Sequence, residues 1–125
     1  MRIESFWNEI DTKWGLLTAD EVLKALNMPE GEIDLVAQLR ESGQLLAVKR
    51  GGDYVFPGFQ FVSGHVEPVV ATLAALAAEL SWAQDDLVVW LCSPSGYFGG
   101  DRPVEYLHHQ DELVQKARNQ ATVEW

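Results

Sequence analysis

Phe6, Trp7, Ile10 and Trp14 recur at intervals of three and four, the spacing of an amphipathic helix, which Gly15 ends. Thr18-Ala19-Asp20-Glu21 then has the form of a capping box ahead of Val22, Leu23 and Leu26, predicting a second helix over about Ala19 to Leu26. Asn27-Met28-Pro29-Glu30-Gly31 interrupts it. A new stripe of Ile33, Val36, Ala37 and Leu39 runs to a left-handed stop at Ser42-Gly43. The period changes next. Leu45 to Arg50 and Tyr54 to Phe56 are β-prone runs on either side of Gly51-Gly52-Asp53, and they predict a hairpin closed by Pro57.

After Phe59-Gln60-Phe61 and a turn at Ser63-Gly64, helical spacing returns from Val66 to Leu80, with Pro68 in the first turn. Ser81 is the expected N-cap of a further helix carrying Leu87, Val88, Trp90 and Leu91, which Ser93-Pro94-Ser95-Gly96 breaks. Pro103 starts a short turn through Val104 and Leu107. A last helix is expected from Asp111 to about Asn119, with Ala121 to Trp125 as a tail. The fold class expected is mainly α with one β-hairpin, and no internal repeat is present.

Composition narrows the classes. At 125 residues, 47% of them hydrophobic, the chain is long enough to bury a core unaided. Nineteen acidic residues against nine basic give a net charge of −10, which opposes phosphate backbones over the molecule as a whole. Any nucleic-acid contact must therefore be local. Six of the basic residues precede Val66, so that contact is expected in the amino-terminal part. A lone Cys92 excludes an internal disulfide and a cysteine-cluster zinc site, and it suits a reducing, cytoplasmic location. The amino terminus lacks a secretory pattern, and the most apolar stretch, Val69 to Leu80, is shorter than the ~20 residues of a membrane span.

Two stretches carry a family resemblance. Val89-Trp90-Leu91-Cys92-Ser93-Pro94, followed by Tyr97-Phe98-Gly99-Gly100-Asp101-Arg102-Pro103-Val104-Glu105-Tyr106-Leu107 and a helix, resembles the antitoxins of the MbcA/ParS/Xre group, the bacterial partners of RES-domain toxins that act on NAD. Leu17 through Gly43, the hairpin, and Phe56 to Phe61 look like the small winged helix-turn-helix that precedes that domain in some relatives. The resemblance implies a winged helix-turn-helix part over residues 1–64 and a small helical bundle, the antitoxin-like domain, over residues 65–125. It also implies a homodimer that binds and neutralises its toxin by covering the active site, and that often binds its operon's own promoter. No cofactor and no enzymatic activity are implied.

For DNA, the residue pattern gives Gln38, Arg40 and the wing pair Lys49-Arg50 as candidate contacts. Glu30, Glu32 and Asp34 stand against them, since a helix entering the major groove normally presents basic or amide groups. For a protein partner, Tyr97, Phe98 and Arg102 in the glycine-flanked loop, with Trp125 at the chain end, are the candidates, being large groups whose burial nothing in the pattern guarantees. Elsewhere the chemistry is bland. His108-His109 lie about 100° apart on a helix, a poor chelating geometry, and Cys92 at an apolar helix end reads as core rather than as a nucleophile with His65. The function expected is an antitoxin-like one. A DNA-binding transcriptional regulator without a toxin is the alternative, and a structural adaptor a third.

Overall fold

The computed structural model describes residues 3–123, and the chain divides between Val66 and Glu67 into two compact units. The first contains α1 (Ile3–Lys13), β1 (Leu16–Leu17), α2 (Ala19–Ala25), α3 (Ile33–Glu41), β2 (Val48–Arg50), β3 (Asp53–Pro57), β4 (Phe61–Val62) and β5 (His65–Val66). The second contains α4 (Val69–Glu79), α5 (Gln84–Cys92) and α6 (Gln110–Val123), with 3-10 turns at Gly96–Phe98 and Pro103–Tyr106.

In the first unit the capping box forms as its residues dictate. The Glu21 N–H donates to the Thr18 hydroxyl at 3.2 Å, and the Thr18 N–H donates to the Glu21 carboxylate at 2.9 Å. The turn between α2 and α3 needs left-handed backbone at two places, supplied by Asn27 and Gly31. Val22, Leu23, Val36, Leu45, Ala47 and Phe56 form the buried core beneath these helices. Trp7 and Ile10 of α1 are buried as the spacing predicts.

The sheet is larger than the expected hairpin. β3 pairs antiparallel with β2 on one side and with β1 on the other, giving the order β1-β3-β2. Helix, strand, two helices and a two-stranded wing in this order are a winged helix-turn-helix. Gly58 permits a close approach behind the sheet: its N–H donates to the Gly15 carbonyl at 2.8 Å, and a Cβ there would run into the Trp14 carbonyl.

Leu45 to Ala47 were expected in the hairpin but lie outside β2. The reason is Gln60, whose side chain is fully buried. Its Oε1 accepts the Leu46 N–H at 2.8 Å, and its Nε2 donates to the carbonyls of Leu46 and Pro57 at 2.9 and 3.0 Å. One amide side chain thus replaces a strand partner for Leu46. Val66 pairs with Phe61 in a second ribbon, so the next helix begins at Val69 rather than at Val66.

In the second unit Val69, Val70, Leu73, Leu76 and Ala77 of α4 are buried, as are Leu87, Val88, Leu91 and Cys92 of α5 and Leu113 and Ala117 of α6. Ser81 does not cap α5. It takes a left-handed conformation just past the end of α4, and Asp86 instead accepts the Ala83 N–H at 3.3 Å. Arg118 bridges to Glu79, tying α6 to α4; that hydrogen bond, and then the opposite charge, holds the Glu79 carboxyl below its usual range and raises Arg118. No helix among the described residues is long and apolar enough to cross a membrane.

Candidate nucleic-acid interface

The wing carries Lys49 and Arg50, and α3 brings Arg40 beside it. Pairing Lys49 with Tyr54 and Arg50 with Asp53 across the strands leaves Gly51 and Gly52, both at positive φ, to make the two-residue tip. Tyr54 is 42% exposed and lies between the wing and α3. The Arg40 guanidinium, from the last turn of α3, sits 3.9 Å above its ring, and the Lys49 ammonium 5.6 Å from it. Arg50 packs 5.3 Å over the ring of Trp7.

Between α3 and the wing lies a groove of about 500 Å³, with Ile33, Val36, Ala37 and Phe56 as its apolar floor and Arg40 and Arg50 at its edges. Gln38 stands exposed on α3. Two of the four residues singled out for DNA, Arg40 and Arg50, therefore line this groove, Lys49 stands beside Tyr54 at its wall, and Gln38 stands on the same helix as Arg40. Tyr54, absent from the residues singled out above, holds Arg40 and Lys49 together. Its signal was its place directly opposite Lys49 in the hairpin.

This surface is of mixed sign. Glu30, Glu32, Asp34 and Glu41 are all exposed around α3, and Glu41 lies 3.5 Å from Arg40. A duplex approaching it meets the cations at the wing and at the end of α3, and carboxylates along the helix.

The residues proposed for a protein partner separate. Tyr97 is 39% exposed and, with Trp90 and Pro94, walls an open groove of about 360 Å³. Phe98 is only 4% exposed: its ring packs edge-on to Trp90 at 6.0 Å and against Tyr106 at 4.8 Å, so it belongs to the core of its unit. Arg102 is half-buried, and its Nε donates to the Cys92 carbonyl at 2.9 Å, satisfying the last turn of α5. The Phe98 ring is therefore not presented for a partner. Trp125 lies outside the described residues.

The neighbouring polar groups serve the loop. Lys116 Nζ donates to the Tyr97 carbonyl at 2.7 Å, lies 4.7 Å over the Phe98 ring and pairs with Glu112. Tyr106 donates to Asp101 at 2.9 Å, and that hydrogen bond, with burial second, raises its pKa above the usual phenol value. His108 lies 3.5 Å from Glu67. Among the described residues no three His, Cys, Asp or Glu side chains group closely enough to hold a metal ion.

Topology and wing together define the amino-terminal unit as a winged-helix module, joined in sequence to a helical unit. The chain is similar to the protein seen in the NMR structure of Rv2175c, with a TM-score of 0.74, 26% identity, and coverage of 89% of this chain and 84% of that one. No family model and no curated protein matches the sequence.

Proposed function

We propose that this protein is a cytoplasmic DNA-binding regulator whose winged helix-turn-helix contacts duplex DNA through the wing and the carboxy-terminal end of α3. The observation that carries this reading is the gathering of Arg40, Lys49 and Arg50 at the α3–wing surface, in a chain whose net charge is −10. Evenly dispersed cations would do nothing against that background. Gathered at a wing tip, they form a local contact for phosphates.

Three cations neutralise few phosphates, so the affinity expected is modest and strongly salt-dependent, with log K falling against log[salt] with a slope of about −2.7 per bound chain. Titrating the full chain with fluorescent duplexes at several salt concentrations tests this. Saturable binding with a slope near that value supports the reading, and no binding at low salt defeats it.

The exposed Tyr97 beside Trp90 favours a second reading, an antitoxin-like role in which the carboxy-terminal unit seats on a protein partner. Large aromatics at an open groove are common interface anchors. On this reading Tyr97→Ala weakens capture of a toxin partner and leaves DNA binding unchanged. Equal capture by the variant would count against it.

A further inference from the structure

We infer that the groove walled by Trp90 and Tyr97 seats an arginine from a cationic segment of another protein, its guanidinium stacked on the aromatic walls and drawn by the carboxylates that flank them. This rests on the second reading above, in which the carboxy-terminal unit meets a protein partner, and it names the chemistry that partner carries. It is independent of DNA binding.

Local structure builds the groove. α5 stops at Cys92, and the chain passes through Ser93 and Pro94 into the 3-10 turn at Gly96–Phe98. The Ser95 hydroxyl caps that turn, accepting the Tyr97 N–H at 3.2 Å, and Lys116 Nζ donates to the Tyr97 carbonyl at 2.7 Å. The Tyr97 backbone is thus held on both sides while its ring stands 39% exposed. Trp90 opposite is half-buried, its ring braced by Trp82 at 6.2 Å and Phe98 at 6.0 Å. Four large hydrophobic residues are exposed among the described residues, and two of them, Val89 and Tyr97, belong to this segment. At about 360 Å³ the groove has room for a side chain and its neighbours, not for a packed helix.

Charge decides what enters. From Glu67 onward the chain has nine acidic and three basic residues, and all three bases are engaged by the unit itself: Arg102 by the Cys92 carbonyl, Lys116 by the Tyr97 carbonyl and Glu112, Arg118 by Glu79. At the groove, Asp86 lies one turn before Trp90 on α5, and the Asp101 carbonyl accepts the N–H of Ser95 at 3.0 Å. Both carboxylates are exposed. Asp86 accepts the Ala83 N–H and Asp101 the Tyr106 hydroxyl, but neither forms an ion pair among the described residues, and each keeps acceptor capacity. An anionic partner is repelled here. A guanidinium meets both demands, because its flat, weakly hydrated face stacks on aromatic rings while its N–H groups donate to carboxylates. An ammonium is a compact, strongly hydrated charge that gains less from the rings.

The difference between the two cations sets the test. Fluorescent peptides of arginine and glycine, of lysine and glycine with the same length and charge, and of leucine and glycine are titrated with the full chain at low salt. The arginine peptide should bind about fivefold or more tighter than the lysine peptide, and the leucine peptide weakest. Tyr97→Ala should remove most of the arginine preference. Asp86→Asn, which keeps an acceptor for the Ala83 N–H, should weaken the arginine peptide about threefold. Asp20→Asn, the same change in net charge on the amino-terminal unit, should leave it unmoved.

Equal affinity for the arginine and lysine peptides, no binding of either, or an equal loss with Asp20→Asn and Asp86→Asn would overturn the assignment, as would an affinity that Tyr97→Ala does not move. Tighter binding of the leucine peptide would give the groove to an apolar occupant and overturn it too. So would self-association of the chain, read by light scattering and abolished by Tyr97→Ala, which would give the groove to a second copy. None of these results touches the capture of a protein partner by the carboxy-terminal unit or the duplex titration, each of which has its own assay.

Discussion

Replacing Lys49 and Arg50 together by alanine is expected to weaken duplex binding roughly 100-fold at low salt, about 1.4 kcal/mol for each lost charge-assisted contact. The salt slope should fall with it, from about −2.7 to about −0.9, because only Arg40 of the clustered cations remains. Lys49 is exposed and Arg50 half-buried near the wing tip, and neither belongs to the buried core, so the thermal midpoint should stay within a few degrees. Fluorescence anisotropy across a salt series reads both quantities. If affinity dropped but the slope did not, the two residues would be acting on the shape of the wing rather than as phosphate contacts. If neither changed, the wing would not be the contact.

Gln60→Leu is the second change with a large expected effect, and it acts on folding. The amide supplies an acceptor to the Leu46 N–H and donors to two carbonyls, in a place with no exposure to water. Leucine fills similar volume but strands all three backbone groups, each costing on the order of 1–3 kcal/mol when buried without a partner. The sum expected is roughly 4 kcal/mol. Domains have about 0.05–0.15 kcal/mol of stability per residue, so a unit of this size loses most of what it has. Urea denaturation followed by fluorescence should show the loss. Because α3 and the wing pack on the core that Gln60 closes, DNA binding should disappear under the same conditions. A midpoint shift corresponding to less than about 1 kcal/mol would mean that Leu46 and Pro57 find other partners.

Much of the architecture was legible because its signals are local. The Thr18 and Glu21 box fixes the start of α2, Gly31 and Gly43 permit the left-handed turns around α3, and Gly51-Gly52 between β-prone runs defines the wing. β1 was not legible: two residues, Leu16 and Leu17, have no period, and only β3 gives them a partner. Gln60 was hidden for the opposite reason. A polar residue in an irregular stretch reads as solvent-facing, and its burial depends on where the chain before β2 runs.

The same limit explains the candidate sites. Lys49 and Arg50 could be placed at a tip from turn chemistry alone, but the stacking of Arg40 on Tyr54 joins residues 14 positions apart and needs the folded unit. Phe98 and Arg102 sat in a glycine-flanked loop that looked open. Trp90 and Tyr106 close over Phe98, and the Cys92 carbonyl at the end of α5 accepts from Arg102. Both demands arise from tertiary structure rather than from the loop's own residues.

The most direct measurement is a chemical-shift map of the isotope-labelled full chain titrated with a short duplex at low salt. Docking through α3 and the wing predicts concentration-dependent shifts for amides of residues 33–41 and 48–54, with residues 90–97 unmoved. Shifts confined to the carboxy-terminal unit, or none at duplex concentrations in the hundred-micromolar range where weak non-specific binding saturates, would contradict it.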